Sequence, residues 1–399
     1  MRRLMLVPVL IIVAAFALAA CGTDPTPTPP PTATPVPAAT PTPVPAWQLE
    51  MDAALEAAKV EGQIDIWVGG GGNAARDFLE LEFEKAFPEI DVVLFQGARS
   101  SEVQSRYLTE WEAGVASLDL LNGGISGGNG RLKPAGALQP IKPFLVTPEV
   151  TDPDNWKGGH MWVDAEEEYM YIGDGATNAA MAIADSVDPA SITSWESLLD
   201  PRFKGKIIMT DPRGSGGGGA LTAFWMWAPA YGDPNPHLGP DFITELFSTQ
   251  DIVFSSDRDF MFDQINNGNM LIHIAPDAAI YRSLLEIGAA PTIIETLPVV
   301  EGGPTIARIS GSPGIIFVPN IDLPHPNATK VYVNWFYSQA GGQALADVRG
   351  AVSRRADVDL SSLPQFIVPD LTGEIFNLMP TTCCLSEYRD LVDAAVGGQ

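Results

Sequence analysis

In the first part of the chain, short apolar runs are followed by small residues and then by segments with helical spacing. The runs are Ile64–Val68, Asp91–Phe95 and Ser117–Leu121, and Ala74–Phe87 and Ser101–Ala113 follow the first two with apolar residues at helical intervals. Strands that alternate with helices usually pair in parallel, and such sheets bind ligands at the carboxyl ends of their strands. The pattern therefore predicts an α/β fold.

Two of these strands end in glycine-rich segments. Gly69–Asn73 follows the first strand, and Asn122–Gly124 follows the third. Glycine lets a ligand come close to backbone N–H groups, so we expect solute contacts at these strand ends. The expected contact residues are Gly70, Gly71, Gly72, Asn73, Asn122, Gly123 and Gly124.

A later stretch has the same order and more glycine. The apolar run Ile207–Met209 is broken by Asp211-Pro212, Gly214–Gly219 contains five glycines and one serine, and Ala220–Trp227 is helix-forming. A strand, a glycine loop and a helix start together gather backbone N–H groups into an anion site. A glycine loop without a ligand is the alternative. The sequence has no Walker motif, which disfavours a nucleotide loop.

The N-terminus predicts export. Arg2 and Arg3 precede the apolar run Leu4–Ala17, which is too short for a stable membrane span, and Leu18-Ala-Ala-Cys21 follows. A cysteine after small residues resembles a bacterial lipobox. We expect residues 1–20 to be a lipoprotein signal peptide and Cys21 to be lipidated. Residues 21–46 would form a disordered Pro/Thr-rich linker, because proline repeats favour extended chain that cannot pack a core.

The charge of the chain excludes one class of partner. The formal net charge is −26, so the surface repels DNA and RNA. Any bound anion must be held by local donors against this field. The cysteines other than Cys21 are Cys383 and Cys384, which lack the spacing of a metal site. A vicinal disulfide and two free thiols both stay open.

Several stretches together resemble one family, the type 2 periplasmic solute-binding proteins of ABC importers, in their iron(III)-transport-type branch. These stretches lie in order over most of Trp47–Leu345, and the match is weak from Ala346 onward. They are Glu61–Gly70, Ser117–Gly124 with Leu138–Pro140, Ser194–Ile207, Asp211–Gly216 and Pro324–Ala328.

The resemblance implies two α/β lobes that are joined by a two-strand hinge and close around a solute. We expect residues 47–142 in lobe 1, with about 295–339 returning to it. Lobe 2 would then hold 143–294 and the C-terminal helices in about 340–399.

The iron ligands of that branch do not carry over. Iron-binding members use a His after the first strand, a Glu after the third strand and two adjacent Tyr residues after a later strand. The matching places here resemble Gly71, Gly124 and the neighbourhood of Asp277–Ala279, and the chain has no Tyr-Tyr pair. Fe(III) needs oxygen or imidazole donors of that kind. We therefore expect no metal site and no cofactor.

Iron-binding members also hold a synergistic anion in a loop, and this loop matches better than the iron ligands do. Ser215, Gly216 and Gly217 resemble it. Arg213 beside this loop and Asp277 after a later strand complete the predicted ligand contacts. Trp67, Trp162, Tyr169 and Tyr171 are candidate cleft walls, of which Tyr171 is assigned to the site.

Two other sequence motifs could indicate a functional site, but each fits its motif poorly. Gly124–Gly128 matches the Gly-x-Ser-x-Gly elbow of esterases, but the elbow needs a helix directly after the serine and a histidine partner. Asp164–Glu168 is acidic without the spacing of a calcium loop. His273, among apolar residues, is expected to be a core histidine.

The sequence thus predicts an exported, lipid-anchored and monomeric solute-binding protein that is not an enzyme. It would deliver a small anionic solute to the permease of an ABC importer. A surface sensor that presents its closed form to a signalling partner is the alternative, and an esterase is a more distant one.

Overall fold

The computed structural model describes residues 43–70, 72–174, 180–213, 238–276, 278–294, 297–298, 305–307, 314–363, 368, 376–377 and 385–397. All of them except Pro43 belong to one compact unit, Val44–Gln399. The predicted signal peptide, Cys21, most of the linker, Cys383 and Cys384 lie outside the described residues.

Helices and strands alternate along most of the described chain. The strands are β1 Gln63–Gly69, β2 Asp91–Gly97, β3 Leu120–Asn122, β4 Leu138–Gln139, β5 Met181–Ile183, β6 Ile207–Met209, β7 Val253–Phe254, β8 Ile272–Ile274, β9 Thr292–Ile294, β10 Leu297–Pro298, β11 Thr305–Ala307, β12 Ile316–Pro319 and β13 Phe376–Asn377. The α-helices are α1 Ala46–Glu61, α2 Gly72–Arg76, α3 Glu82–Ala86, α4 Ser100–Glu112, α5 Ile125–Gly127, α6 Pro148–Thr151, α7 Gly239–Thr249, α8 Arg258–Asn266, α9 Ala278–Glu286, α10 Pro326–Phe336, α11 Gln339–Asp347 and α12 Leu385–Gly397. Short 3-10 or π-helical turns occupy Asp77–Leu81, Gly128–Leu132, Lys142–Phe144, Pro153–Asn155, Pro189–Ser191, Trp195–Leu199 and Pro201–Phe203.

The first sheet has five strands in the order β2-β1-β3-β12-β4. β1 pairs in parallel with β2 and β3, whereas β12 runs antiparallel between β3 and β4. Ile64, Ile66 and Val68 of β1 are buried, and Trp67 between the last two is nearly so. Apolar side chains on both faces of a strand are expected where a sheet is covered on both sides. The α/β fold predicted for this part of the chain is confirmed.

Helix α1 packs along α10 on this sheet. Its buried residues are Ala54 and Ala58, one turn apart, and their small side chains let the two helices approach closely. The helix ends at Gly62, which has a left-handed φ of 73° and donates its N–H to the carbonyl of Ala58 at 2.8 Å. Glycine adopts this conformation without the strain that a Cβ would cause.

The second sheet has the order β7-β6-β8-β5-β9. β6 is parallel to β7 and β8, and β5 is antiparallel to β8 and β9. Ile207, Ile208 and Met209 are fully buried, as predicted for this strand. His273 of β8 is buried against the ring of Phe262, which makes it the core histidine that its neighbours in sequence predicted. A third, short sheet has the order β10-β11-β13.

Two glycines meet where the chain passes between the two large sheets. The N–H of Gly173 donates to the carbonyl of Gly314 at 2.8 Å. A Cβ on Gly314 would lie 2.3 Å from the Cβ of Asp174, so only glycine fits there. A third segment joins these two, because Arg354 N donates to Gly173 O at 2.9 Å and Ser353 bridges Asp174.

The side chain of Arg354 fixes the same crossing. It is buried and donates to the carbonyls of Ile172, Lys157 and Gly159 at 3.2, 2.8 and 2.8 Å. Burial lowers the pKa of Arg354 to about 10, since desolvation disfavours the charged form. The family resemblance implies a hinge of two strands, and the structure adds this third segment at the crossing.

The core of the first sheet extends further along the chain than the boundary expected at 142/143. Val150, Trp156 and Tyr171 pack in it, and so does Leu345 of α11. α12, in contrast, packs on α7 in the core of the second sheet. The segment after residue 142 is rich in proline and glycine, which suggests a connection between lobes. Its large apolar side chains instead pack on the first sheet, so the segment belongs with that sheet. Within the described residues, no helix combines the length and apolarity that crossing a bilayer requires.

We expect Gly314→Ala to lower the free energy of unfolding by about 1–3 kcal/mol, because the new methyl group overlaps Asp174 at the crossing. Gly397→Ala is the matched control, since a Cβ there meets no atom within 4 Å. Urea denaturation followed by circular dichroism measures both. Equal stability of the two variants would contradict the close approach at Gly314.

Candidate functional site

Three loops meet at the carboxyl edge of the first sheet. They are Gly69–Gly70 at the end of β1, Arg99–Ser100 at the start of α4 and Gly123–Gly124 after β3, and we call them the loop cluster. A Cβ on Gly69 would lie 2.1 Å from the Cα of Ser100, and the Ser100 hydroxyl donates to Gly69 O at 3.2 Å. Because β1 and β3 are parallel neighbours, their ends and the start of α4 share one edge.

Helix α4 begins with N–H groups that its own backbone does not use. The N–H groups of Glu102 and Val103 donate to the carbonyl of Arg99, as in any first helical turn. The N–H groups of Ser100 and Ser101 precede this turn, so the helix itself offers them no acceptor. The helix starts at Ser100, one residue before the predicted start at Ser101. Glu102 also folds back, and its carboxylate accepts the Ala98 N–H at 3.1 Å.

Arg99 is the residue at this edge that sequence reasoning missed. It is exposed, directly precedes α4, and forms no side-chain hydrogen bond or ion pair with the described residues. A cation beside the positive end of a helix dipole attracts anions. The sequence carried only a weak signal for it, namely a basic residue between the second strand and the second helix.

The glycine segment after β1 is held by a neighbouring strand. Gln96 of β2 donates its side-chain amide to the carbonyls of Gly70 and Gly72 at 3.2 and 2.9 Å. Gly70 has a φ of 81° and Gly72 a φ of 55°. Asn73 follows them in α2 and is exposed. Gly71 lies outside the described residues.

The side chain of Asn122 is held inside the protein by a hydrogen bond. Its side chain is buried and donates to the carbonyl of Ile315 at 2.7 Å, which joins β3 to the segment that leads into β12. The carbonyl of Gly124 accepts the side-chain amide of Gln104 at 2.9 Å, and Gln104 is itself buried. A Cβ on Gly127 would overlap this same side chain. Of the predicted contacts here, Gly124 is half-buried, Gly123 is buried beside Gln104, and Asn122 turns inward.

Tyr171 is also buried, and in this structure it is not a cleft wall. Its ring packs against those of Trp156, Trp162 and Tyr337 at centroid distances of 4.9, 4.9 and 5.1 Å. Its side chain has no exposed surface, and burial raises the pKa of its hydroxyl. The sequence could not distinguish this position from a pocket wall, because both favour aromatic residues.

Trp67, the first of the candidate cleft walls, is nearly buried in the core of the first sheet. The guanidinium of Arg106 lies 4.6 Å above its ring, and the ring of Phe95 lies 5.0 Å away. These contacts give Trp67 a packing role in this structure.

At the edge of the second sheet, the charge of Arg213 is already matched. Its guanidinium donates to both carboxylate oxygens of Asp211, at 2.9 and 2.8 Å, and lies 3.2 Å from Asp393 of α12. Arg213 lowers the pKa of Asp211. Two carboxylates around one guanidinium leave a negative local charge, which does not favour Arg213 as an anion ligand. Ser215, Gly216, Gly217 and Asp277 lie outside the described residues.

The esterase elbow lacks the geometry that it needs. Ser126 lies in the three-residue helix α5, and a π-helical turn, Gly128–Leu132, follows directly. A nucleophile elbow places its serine between a strand and a long helix. The short irregular helix here does not provide that support.

No protein-family model matches the chain, and no curated protein matches it. Solved structures do. The apo form of FutA2 from Synechocystis PCC6803 is 16% identical with a TM-score of 0.60, over 84% of this chain and 98% of that one. Iron-bound HitA from Pseudomonas aeruginosa is 16% identical with a TM-score of 0.59, over 84% of this chain and 99% of that one.

The substrate-binding protein of an ABC transporter from Agrobacterium tumefaciens is 14% identical, with a TM-score of 0.59 over 86% of this chain and 96% of that one. The chain has the two-lobed fold of periplasmic binding proteins. The resemblance and the fold class predicted from the sequence are confirmed.

We expect Gln104→Ala to lower the free energy of unfolding by about 1–2 kcal/mol, because it removes a buried hydrogen bond to Gly124 and leaves a gap beside Gly127. Gln96→Ala, at an exposed glutamine of the same edge, should cost less than about 0.5 kcal/mol. Chemical denaturation measures both values. The reverse order of the two would mean that Gln104 does not support the loop cluster.

Proposed function

We propose that the chain is the substrate-binding lipoprotein of an ABC importer. It captures a small anionic solute between its two lobes and presents the closed form to the permease. The lobes would rotate about the crossing at Gly173 and Gly314, and the chain would break no bond. The liganded closed form is favoured because only it lets both lobes contact the solute.

The observation that carries this proposal is the convergence of the loop cluster on the first turn of α4. It would provide one half of a site through the N–H groups of Ser100 and Ser101, which have no acceptor among the described residues. The second half would come from the ends of β6 and β8, where the sequence continues into Gly214–Gly219 and Asp277. Strand ends of open α/β sheets are the usual ligand positions of this architecture.

An anionic solute fits the charges at the loop cluster. Arg99 is exposed and has no ion pair among the described residues, whereas Arg213 is held by Asp211 and Asp393. An anion would therefore meet an available guanidinium in lobe 1. In lobe 2 it would rely on the backbone N–H groups and Ser215 of the glycine segment.

Iron(III) is not the proposed cargo, although iron-bound HitA shares the fold. The end of β3 carries Gly124, and a glycine offers no side-chain oxygen or imidazole to a hard cation. The sequence places Gly71 at the end of β1 and contains no Tyr-Tyr pair.

The proposed delivery to a membrane permease rests on the N-terminal sequence. Cys21 would carry the lipid on the outer face of the cytoplasmic membrane, and residues 21–46 would let a monomeric domain reach the permease. Two lipid chains anchor a protein stably, whereas one does not.

We expect Arg99→Gln to weaken the binding of the preferred anion at least tenfold, since a charge-assisted hydrogen bond is lost. Arg213→Gln is the matched control and should change affinity less than threefold. The solute is first identified by a thermal-shift screen of phosphate, phosphonates, phosphosugars, carboxylates, neutral sugars, polyamines and Fe(III), and isothermal calorimetry then compares the variants. A ligand at about 100 times its dissociation constant stabilises by roughly 2.7 kcal/mol, which is a measurable shift. A response confined to Fe(III), neutral sugars or polyamines would remove the anionic solute from the proposal.

We expect Cys21→Ala to move the protein from the detergent phase to the aqueous phase in a Triton X-114 partition of cells that express the full chain. Without the cysteine no diacyl anchor is attached, so the domain loses its affinity for lipid. Mass spectrometry of the mature N-terminus provides the second measurement. Retention of the variant in the detergent phase would contradict the anchor.

A further inference from the structure

Three metal-ligating side chains lie together at the end of the first sheet that is opposite to the loop cluster. Asp65 is the third residue of β1, Asp119 directly precedes β3, and His325 directly precedes α10. One ligand atom from each lies within 4.8 Å of the other two. Asp65 and Gly69 are four positions apart, which is about 13 Å along the strand, so this group is distinct from the proposed solute site.

Backbone hydrogen bonds fix the position of the group. The carboxylate of Asp119 accepts the N–H of Asp65 at 2.9 Å and the N–H of His325 at 2.7 Å, and it is fully buried. The N–H of Asp119 donates to the carbonyl of Asp65 at 2.8 Å. Three distant segments are thus held in one arrangement before any ligand binds. Such a pre-formed arrangement lowers the cost of ordering a ligand sphere.

The charges of the group do not balance. Within the described part of the chain, no lysine or arginine forms a salt bridge with Asp65 or Asp119, and the only cationic candidate is the imidazole of His325. The nearby carboxylate of Glu61 adds further negative charge, since it caps the start of α10 at Asn327 and Ala328. Burial and the neighbouring Asp119 raise the pKa of Asp65. A bound cation would compensate this excess.

The distances suit a small divalent cation. Nδ1 of His325 lies 2.8 Å from the nearer Asp119 oxygen and 3.6 Å from the nearer Asp65 oxygen. Ligands about 2.0–2.1 Å from a tetrahedral Zn²⁺ are about 3.3 Å apart, so small side-chain shifts would place all three around one ion. His325 and Asp65 are 16% and 20% exposed, which leaves room for a water as the fourth ligand.

We propose that Asp65, Asp119 and His325 bind a divalent transition metal ion of the Zn²⁺ class. The ion takes the place of the proton on His325 Nδ1, and this proton is released to solvent. Bound there, it links β1, β3 and the start of α10, so it stabilises lobe 1 without taking part in solute capture. One imidazole with two carboxylates is a ligand set that Zn²⁺ accepts and that Ca²⁺ and Mg²⁺ disfavour.

The test uses the full chain, Zn²⁺ in a competition assay with a chromophoric chelator, and Co²⁺ as a spectroscopic probe. We expect one high-affinity Zn²⁺ per chain, a raised melting temperature with Zn²⁺, and visible Co²⁺ absorption of low-coordinate type. Asp65→Asn and His325→Asn should each lower Zn²⁺ affinity at least tenfold. The asparagine at 325 can still donate a hydrogen bond to Asp119, so the fold keeps that contact.

Asp91→Asn and His160→Asn are the matched controls, because they remove an exposed carboxylate of the neighbouring strand β2 and an imidazole beside Trp156. Neither should change Zn²⁺ affinity. The proposal is wrong if the wild type binds no tighter than Asp65→Asn, or if the controls lose as much affinity. If His325→Asn does not fold, Asp65→Asn alone decides, since among the described residues the Asp65 side chain has, besides this group, only the long 3.4 Å contact to Gln63.

Discussion

Gly69 and Gly314 each allow one backbone segment to press against another where any side chain would overlap. At Gly69 the partner is Ser100, and the contact brings the start of α4 to the end of β1. At Gly314 the partner is Asp174, and the contact holds together the two strands that pass between the sheets. The candidate site and the crossing both depend on this close approach, so the proposed solute half-site and the proposed axis of lobe motion rest on the same physical constraint.

The distribution of charge explains how so acidic a chain can favour an anion at one place. The net charge of the chain is −26, and Arg213 at the edge of the second sheet is held by the carboxylates of Asp211 and Asp393. Arg99 differs, because it is exposed and has no carboxylate partner among the described residues. Local donors then act against an unfavourable long-range field, and salt screens that field more than the short contacts. Selectivity for an anion would therefore come from a few local donors such as Arg99, and not from the net charge of the chain.

The sequence predicted the α/β fold well, because strand and helix periods are local signals and because Gly69–Asn73 and Asn122–Gly124 mark strand ends directly. It failed where a side chain depends on a distant partner. Asn122 turns inward to Ile315, which is 193 positions away, and Asp119 meets His325 at a separation of 206. Tyr171 was assigned to the cleft because core and pocket positions favour the same aromatic residues. The predicted residues in the Gly214–Gly219 loop stay predictions.

The clamp formed by Arg354 has a mechanical consequence for the proposed closure. The side chain of Arg354 donates to the carbonyls of Ile172, Lys157 and Gly159. Its backbone N–H donates to Gly173, so Gly173 is tied to the segment that covers the first sheet. In the proposed closure, Gly173 would therefore move with the first lobe, and the crossing at Gly173 and Gly314 would form the first-lobe side of the pivot. The segment from 143 to 172 would then move together with the first sheet, whose core it helps to form, and would not act as a connection between the two lobes.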